Sequence, residues 1–270
     1  MPRPLALHQI TAMEASPEEL VSIAAAVGCD RVCIFVYSPA AGISFPVVTR
    51  ATKAAFLGRL RGEGVGVANL EYFPITAETD LDAYRAPLEL GAELGACLAV
   101  THVHDAEEDR AADTLGRFAD LAAECGLAIG LEFMGLSPGC NSLARAVRLI
   151  DRIDRPNAGI AVDALHLVRT GGTPAEVAAL APAYFAYSQI CDGHGLAPSS
   201  DYLPEALDRV MPGEGDFPLL ALIEALPEAT ALDVEVPSVR LAADGVPALE
   251  RARRAVVAAR RLIESARLTR

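Results

Sequence analysis

The chain lacks the usual cradles for nucleotides: neither G-x-G-x-x-G nor G-x-x-x-x-G-K-[ST] occurs anywhere in it. A nucleotide-binding open sheet built around such a loop is therefore excluded. Basic charge is scarce, with 23 lysines and arginines against 36 acids and a net charge of −13. The one basic block, "RARRAVVAARR" (251–261), reads as a solvated or subunit-contact helix face, and nucleic acid is not an expected partner. No apolar run approaches the ~20 residues of a membrane span, and the opening "MPRPLALHQI" has no signal-peptide core. Six cysteines stand without C-x-x-C spacing, so they read as small buried hydrophobes in a reducing compartment. A cytoplasmic location follows as the expectation. Linkers and low-complexity segments are missing too.

What the chain has is a repeating unit. Short β-branched runs alternate with Ala/Leu-rich amphipathic stretches, punctuated by Gly and Pro. Strands are expected at 5–10, 31–38, 65–73, 97–104, 127–134, 158–165, 184–191 and 231–237. Helices are expected between them. "SPEELVSIAAAVG" (16–28) opens on Ser16-Pro17 with Glu19 at capping-box distance and stops at Gly28. "ADTLGRFADLAAECG" (112–126), "NSLARAVRLIDRID" (141–154) and a long final helix behave likewise. Strict eightfold alternation in 270 residues points to one α/β domain over 1–270, a single (β/α)8 TIM barrel. The Ala-rich helix surfaces and the last helix suggest a homodimer.

Barrel enzymes carry their chemistry at the C-terminal strand ends. His8 and Gln9 fall there on the first strand, Asn69 and Glu71 on the third, and His102 and His104 on the fourth. The last four strands each place one oxygen-bearing side chain in an apolar run: Glu132, Asp163, Gln189 and Glu235. One buried acid has an ordinary explanation, as a helix cap or an arginine partner. Three carboxylates in one confined place repel, and burying them costs several kcal/mol unless a cation offsets the charge. A divalent ion is the economical solution, with Gln189 adding a neutral oxygen. All-oxygen ligation favours Mn²⁺ or Mg²⁺ over zinc.

"GLEFMG", "VDALH", "SQICDG" and "DVEVPS", in that order on successive strands, resemble the xylose-isomerase-like barrel superfamily of sugar isomerases and epimerases. Their acidic and amide positions are 31, 26 and 46 residues apart. The resemblance implies one divalent metal on Glu132, Asp163, Gln189 and Glu235. It further implies that both glutamates act on the substrate and that His166 touches it. Gln189 stands where many epimerases have histidine. With "CDG" and "PGEGDFPL" (212–219), that makes this stretch similar to 3-dehydroshikimate dehydratases. The acid usual near the end of strand 2 is absent, since "CIFVYSP" offers only Tyr37 and Ser38, which suits a less hydroxylated substrate than a hexose.

Such a site removes a proton α to a carbonyl. Two glutamates on opposite faces give epimerisation of a polyhydroxy ketone. Loss of a β-hydroxyl, with His166 as the acid, gives dehydration of a hydroxy-cyclohexenone. His8, His104, Arg169 and Asp192 are the further candidates for substrate contact. Each has a structural alternative: a surface salt bridge for Arg169, a helix cap for Asp192. His102 reads as a satisfied core histidine, Cys191 as packing, and "PGEGDFP" as a turn and helix start. A multi-zinc apurinic endonuclease reading is disfavoured by the five histidines and the acidic balance. A barrel that only binds a ligand stands as the non-catalytic alternative.

Overall fold

A computed structural model describes residues 3–38 and 45–269. Eight parallel strands close into a barrel in sequence order: β1 (Leu5–His8), β2 (Arg31–Phe35), β3 (Gly66–Ile75), β4 (Leu98–Val103), β5 (Ala128–Glu132), β6 (Ala158–Asp163), β7 (Phe185–Ile190) and β8 (Leu232–Val234). β1 pairs with both β2 and β8, which closes the ring. Each expected strand is present. The single TIM barrel is the observed fold, and no helix among the described residues is long and apolar enough to cross a membrane.

The apolar runs are continuous because both faces of each strand are buried. One alternate set packs outward against the helices: Leu5 and Leu7, Val32 and Ile34, Ile129 and Leu131, Ile160 and Val162. The opposite set faces the barrel axis, where the apolar cluster is small: Leu98, Val100, Ala161 and Tyr187. Outward burial carries the fold, each fully buried Leu or Ile contributing roughly 1.5–3 kcal/mol. The axis is left for polar groups. Towards the N-terminal strand ends it is lined by Ala6, Ala68, Ala128 and Gly159, too small to fill it, and a cavity of about 340 Å³ results.

Helix starts follow the local signals. Ser16 and Glu19 form the expected capping box at helix Pro17–Val27, and Gly28 ends it in the left-handed region at φ 79°. Ser142 caps helix Leu143–Ile153 at the Arg145 N–H. Asp163 ends β6 and caps the short helix Ala164–Arg169, its Oδ1 accepting from His166 N at 3.0 Å. One residue thus turns the chain from strand to helix and puts a carboxylate at the rim.

Candidate active site

The strand ends bring Glu132, Asp163, Gln189 and Glu235 to one end of the barrel, all buried. Asp163 pairs in register with Gln189, and Gln189 with Asp233. Carboxylate oxygens of Glu132 and Asp163 and a ring nitrogen of His166 lie within 4.8 Å of one another. Gln189 Nε2 donates to Glu235 Oε2, and Gln189 Oε1 is left buried with no partner among the described residues.

The charge is offset in part by a residue that strand-end reading does not reach. Arg209 lies in the long connection after β7, fully inside the site. Its Nη1 is 2.5 Å from Asp163 Oδ2 and its Nη2 2.6 Å from Glu235 Oε1. One guanidinium answers only part of the charge of Glu132, Asp163 and Glu235. The unpartnered Gln189 oxygen and the converging Glu132 and Asp163 oxygens fit one divalent cation.

Glu132 is gripped from both sides. His102 Nε2 is 3.0 Å from Oε2, and His166 Nε2 is 3.3 Å from Oε1. Burial acts to raise its pKa, but the two imidazoles outweigh that and hold the carboxyl well below its usual range. Glu235 moves the other way. Burial and the nearby Asp163 and Glu132 push its carboxyl up to about 8, against Arg209 and His8. Both its oxygens accept from N–H donors, so a proton there requires Gln189 to turn its amide over.

His8 belongs to the site. Its Nδ1 accepts from Ile10 N at 3.2 Å, so Nε2 carries a proton and faces Glu71 Oε1 at 3.3 Å and Glu235 Oε2 at 3.8 Å. Glu71 Oε1 also accepts from Asn69 Nδ2 at 2.8 Å. One layer deeper Asp233 accepts from the Cys33 thiol at 2.7 Å, and burial pushes its carboxyl up to about 6. Asp233 faces inward two residues before Glu235, a spacing that the period of a strand makes visible.

Four of the expected residues stand differently in the structure. His102, read as core, is the histidine that touches Glu132, with Tyr72 stacked on it at 4.1 Å. β4 ends at Val103, so His104 leaves the alternation and its Nδ1 meets Ser137 Oγ at 3.2 Å. Burial, with His102 adding to it, pushes the His104 pKa down to about 4, which keeps it neutral. Arg169 is committed to the chain that follows β7. Its guanidinium pairs with Glu205 and donates to the His194, Gly195 and Ala197 carbonyls. Asp192 is equally committed, accepting from the backbone N–H groups of Gly193, Gly213, Gly215 and Phe217. These two residues shape the connection that carries Tyr202 and Arg209. "PGEGDFP" is the stretch that Asp192 holds.

A family model described as xylose isomerase-like TIM barrel matches residues 21–262. The chain belongs to that family. A curated relative, a 3-dehydroshikimate dehydratase of Pseudomonas aeruginosa, is 32% identical over 113 residues, 42% of this chain. The match spans 18% of that longer protein. Among family folds, the IolI protein, whose crystal structure has a bound zinc atom, superposes with a TM-score of 0.80 at 18% identity over 97% of this chain and 98% of its own. An L-ribulose 3-epimerase superposes with a TM-score of 0.74 at 16% identity, covering 100% of this chain and 97% of that one. At those identities the likeness shows the fold. Family members of this kind are enzymes.

Proposed function

We propose that the chain is a divalent-metal-dependent isomerase or epimerase that removes a proton α to the carbonyl of a polyhydroxy ketone. The observation that carries this reading is geometric: Glu132, gripped by His102 and His166, and Glu235, gripped by Arg209 and Gln189, stand with Asp163 at one end of the barrel beside the buried, unpartnered Gln189 Oε1. Two glutamates at one such site are the groups a proton transfer needs.

Glu132, Asp163, Gln189 and Glu235 would hold the ion, through the oxygens described above. Mn²⁺ or Mg²⁺ bound there supplies Lewis-acid stabilisation of negative charge developing on a substrate oxygen. The chain's own groups do the rest. Glu132 would take the proton, Glu235 would return one that it picks up from solvent, and His166 Nε2–H would offer a hydrogen bond to a substrate oxygen. Arg209 holds Asp163 and Glu235 in place. Phe35 stacks on Phe45 at 4.2 Å, and Tyr72 stacks on His102 at 4.1 Å beside Glu132.

Dehydration is the second reading, and Gln189 together with the Pseudomonas aeruginosa relative favours it. There Glu132 takes the α-proton and passes it to the departing β-hydroxyl, which His166 Nε2–H holds by a hydrogen bond. Incubating the Mn²⁺-loaded protein in D₂O with a panel of ketoses and hydroxy-cyclohexenones separates the two. Deuterium at a carbon-bound position of recovered ketose supports epimerisation, and loss of water from a cyclohexenone supports the dehydratase. A metal-loaded chain that does neither with any panel member contradicts both.

A further inference from the structure

Tyr202 joins a backbone amide to an imidazole. Gly135 N donates to its hydroxyl oxygen at 2.7 Å, and His166 Nδ1 lies 2.9 Å from the same oxygen. A backbone N–H can only donate, so the phenol oxygen accepts there and its own proton is left for Nδ1. Burial raises the phenol above its ordinary pKa, with the Gly135 bond opposing, and the proton stays on the oxygen. With Nδ1 accepting, Nε2 must carry the imidazole's proton, and it points at Glu132 Oε1. Neither nitrogen then has a lone pair to spare, although His166 stands within 4.8 Å of the Glu132 and Asp163 oxygens.

We propose that Tyr202 keeps His166 out of the cation's coordination sphere, so that the site offers oxygen donors alone and lowers its preference for Zn²⁺ relative to a hard ion such as Mn²⁺. The inference rests on the metal set of the preceding reading. One further feature of the fold supports it. A Cβ on Gly135 would come within 3.0 Å of Tyr202 Cε1 and 3.5 Å of its hydroxyl oxygen, so the glycine is what lets the amide approach. His102, the other imidazole against Glu132, gives its Nε2 to the carboxylate Oε2 at 3.0 Å. Without the hydroxyl, His166 is free to place its proton on Nδ1 and offer Nε2 to a metal. Zinc gains most from such a nitrogen ligand.

The test combines ¹⁵N-histidine NMR of the metal-free protein with competitive Zn²⁺/Mn²⁺ titration, on the wild type and on Tyr202→Phe. In the wild type, His166 should show a protonated Nε2 and an unprotonated Nδ1. In Tyr202→Phe the two forms should mix or reverse, and the Zn²⁺-to-Mn²⁺ affinity ratio should rise about ten- to a hundredfold, the usual reach of an outer-sphere partner. Gly135→Ala, which displaces the phenol without removing it, should move both readouts in the same direction and serves if Tyr202→Phe does not fold. A wild-type His166 protonated on Nδ1, or on both nitrogens, overturns the proposal. So does an unchanged affinity ratio in both variants. If the wild type binds neither ion, the metal reading itself fails and takes the coordination claim with it. The nitrogen shifts then still report the Tyr202 bond, so the two failures are told apart.

Discussion

Arg209 Nη1 lies 2.5 Å from Asp163 Oδ2, and the same guanidinium reaches Glu235 Oε1 at 2.6 Å. A fixed positive charge therefore shares two carboxylates with the proposed divalent ion. Removing it leaves those carboxylates buried and uncompensated, at a cost of roughly 3–5 kcal/mol. Arg209→Met should accordingly melt well below the wild type when metal-free. Added Mn²⁺ should restore more of its stability than it adds to the wild type. Thermal melts with and without Mn²⁺ check this, and equal metal-induced shifts would contradict it.

The raised carboxyl of Glu235 gives a pH dependence with a definite sign. In the metal-free folded protein it holds its proton up to about 8, against an ordinary value of 4.5. Between those values the folded state binds more protons than the unfolded one. This group's contribution to stability therefore falls as pH rises through that window. A divalent ion must displace the proton, so apparent Mn²⁺ affinity should climb by about tenfold per pH unit below 8 and then level off. Titrations at several pH values measure it, with Glu235→Gln as the variant that loses the slope. A flat wild-type profile would sink the assignment.

Arg169 should behave as a loop anchor. Arg169→Ala breaks its pair with Glu205 and its bonds to three carbonyls, costing about 1.5–3 kcal/mol. Faster amide exchange across 193–206 should accompany that loss. Exchange that stays at the wild-type rate there would mean that Arg169 does not organise the connection.

These cases show what a linear reading can and cannot reach. The eight strands were legible because a strand buried on both faces writes itself as an unbroken apolar run. Asp163, Glu132, Gln189 and Glu235 stood out as polar interruptions at the ends of those runs. Arg209 and Tyr202 carried no such signal, since they arrive from an irregular connection whose path is set by Asp192 and Arg169. His102 and His104 were exchanged because alternation treats them alike, and only the end of β4 at Val103 separates them. Part of the positive charge that three buried carboxylates call for comes from Arg209, which lies outside the strand ends.

His166 and Asp163 should separate chemistry from binding. His166→Ala keeps the oxygen set and should retain near-stoichiometric metal. It loses the Nε2–H donor that faces Glu132, and turnover should fall about a hundredfold or more. Metal analysis beside turnover on a substrate found in the D₂O screen checks it. Normal turnover would remove His166 from the mechanism.

The central claim is that four strand-end oxygen donors hold one divalent ion, and metal content after reconstitution tests it most directly. Wild-type protein dialysed against Mn²⁺ and then freed of excess should carry one ion per chain by elemental analysis. Asp163→Ala, which removes one of three charged ligands and the cap of helix Ala164–Arg169, should carry almost none while still folding as a barrel by circular dichroism. Stoichiometric Mn²⁺ in Asp163→Ala, or none in the wild type, would contradict the account.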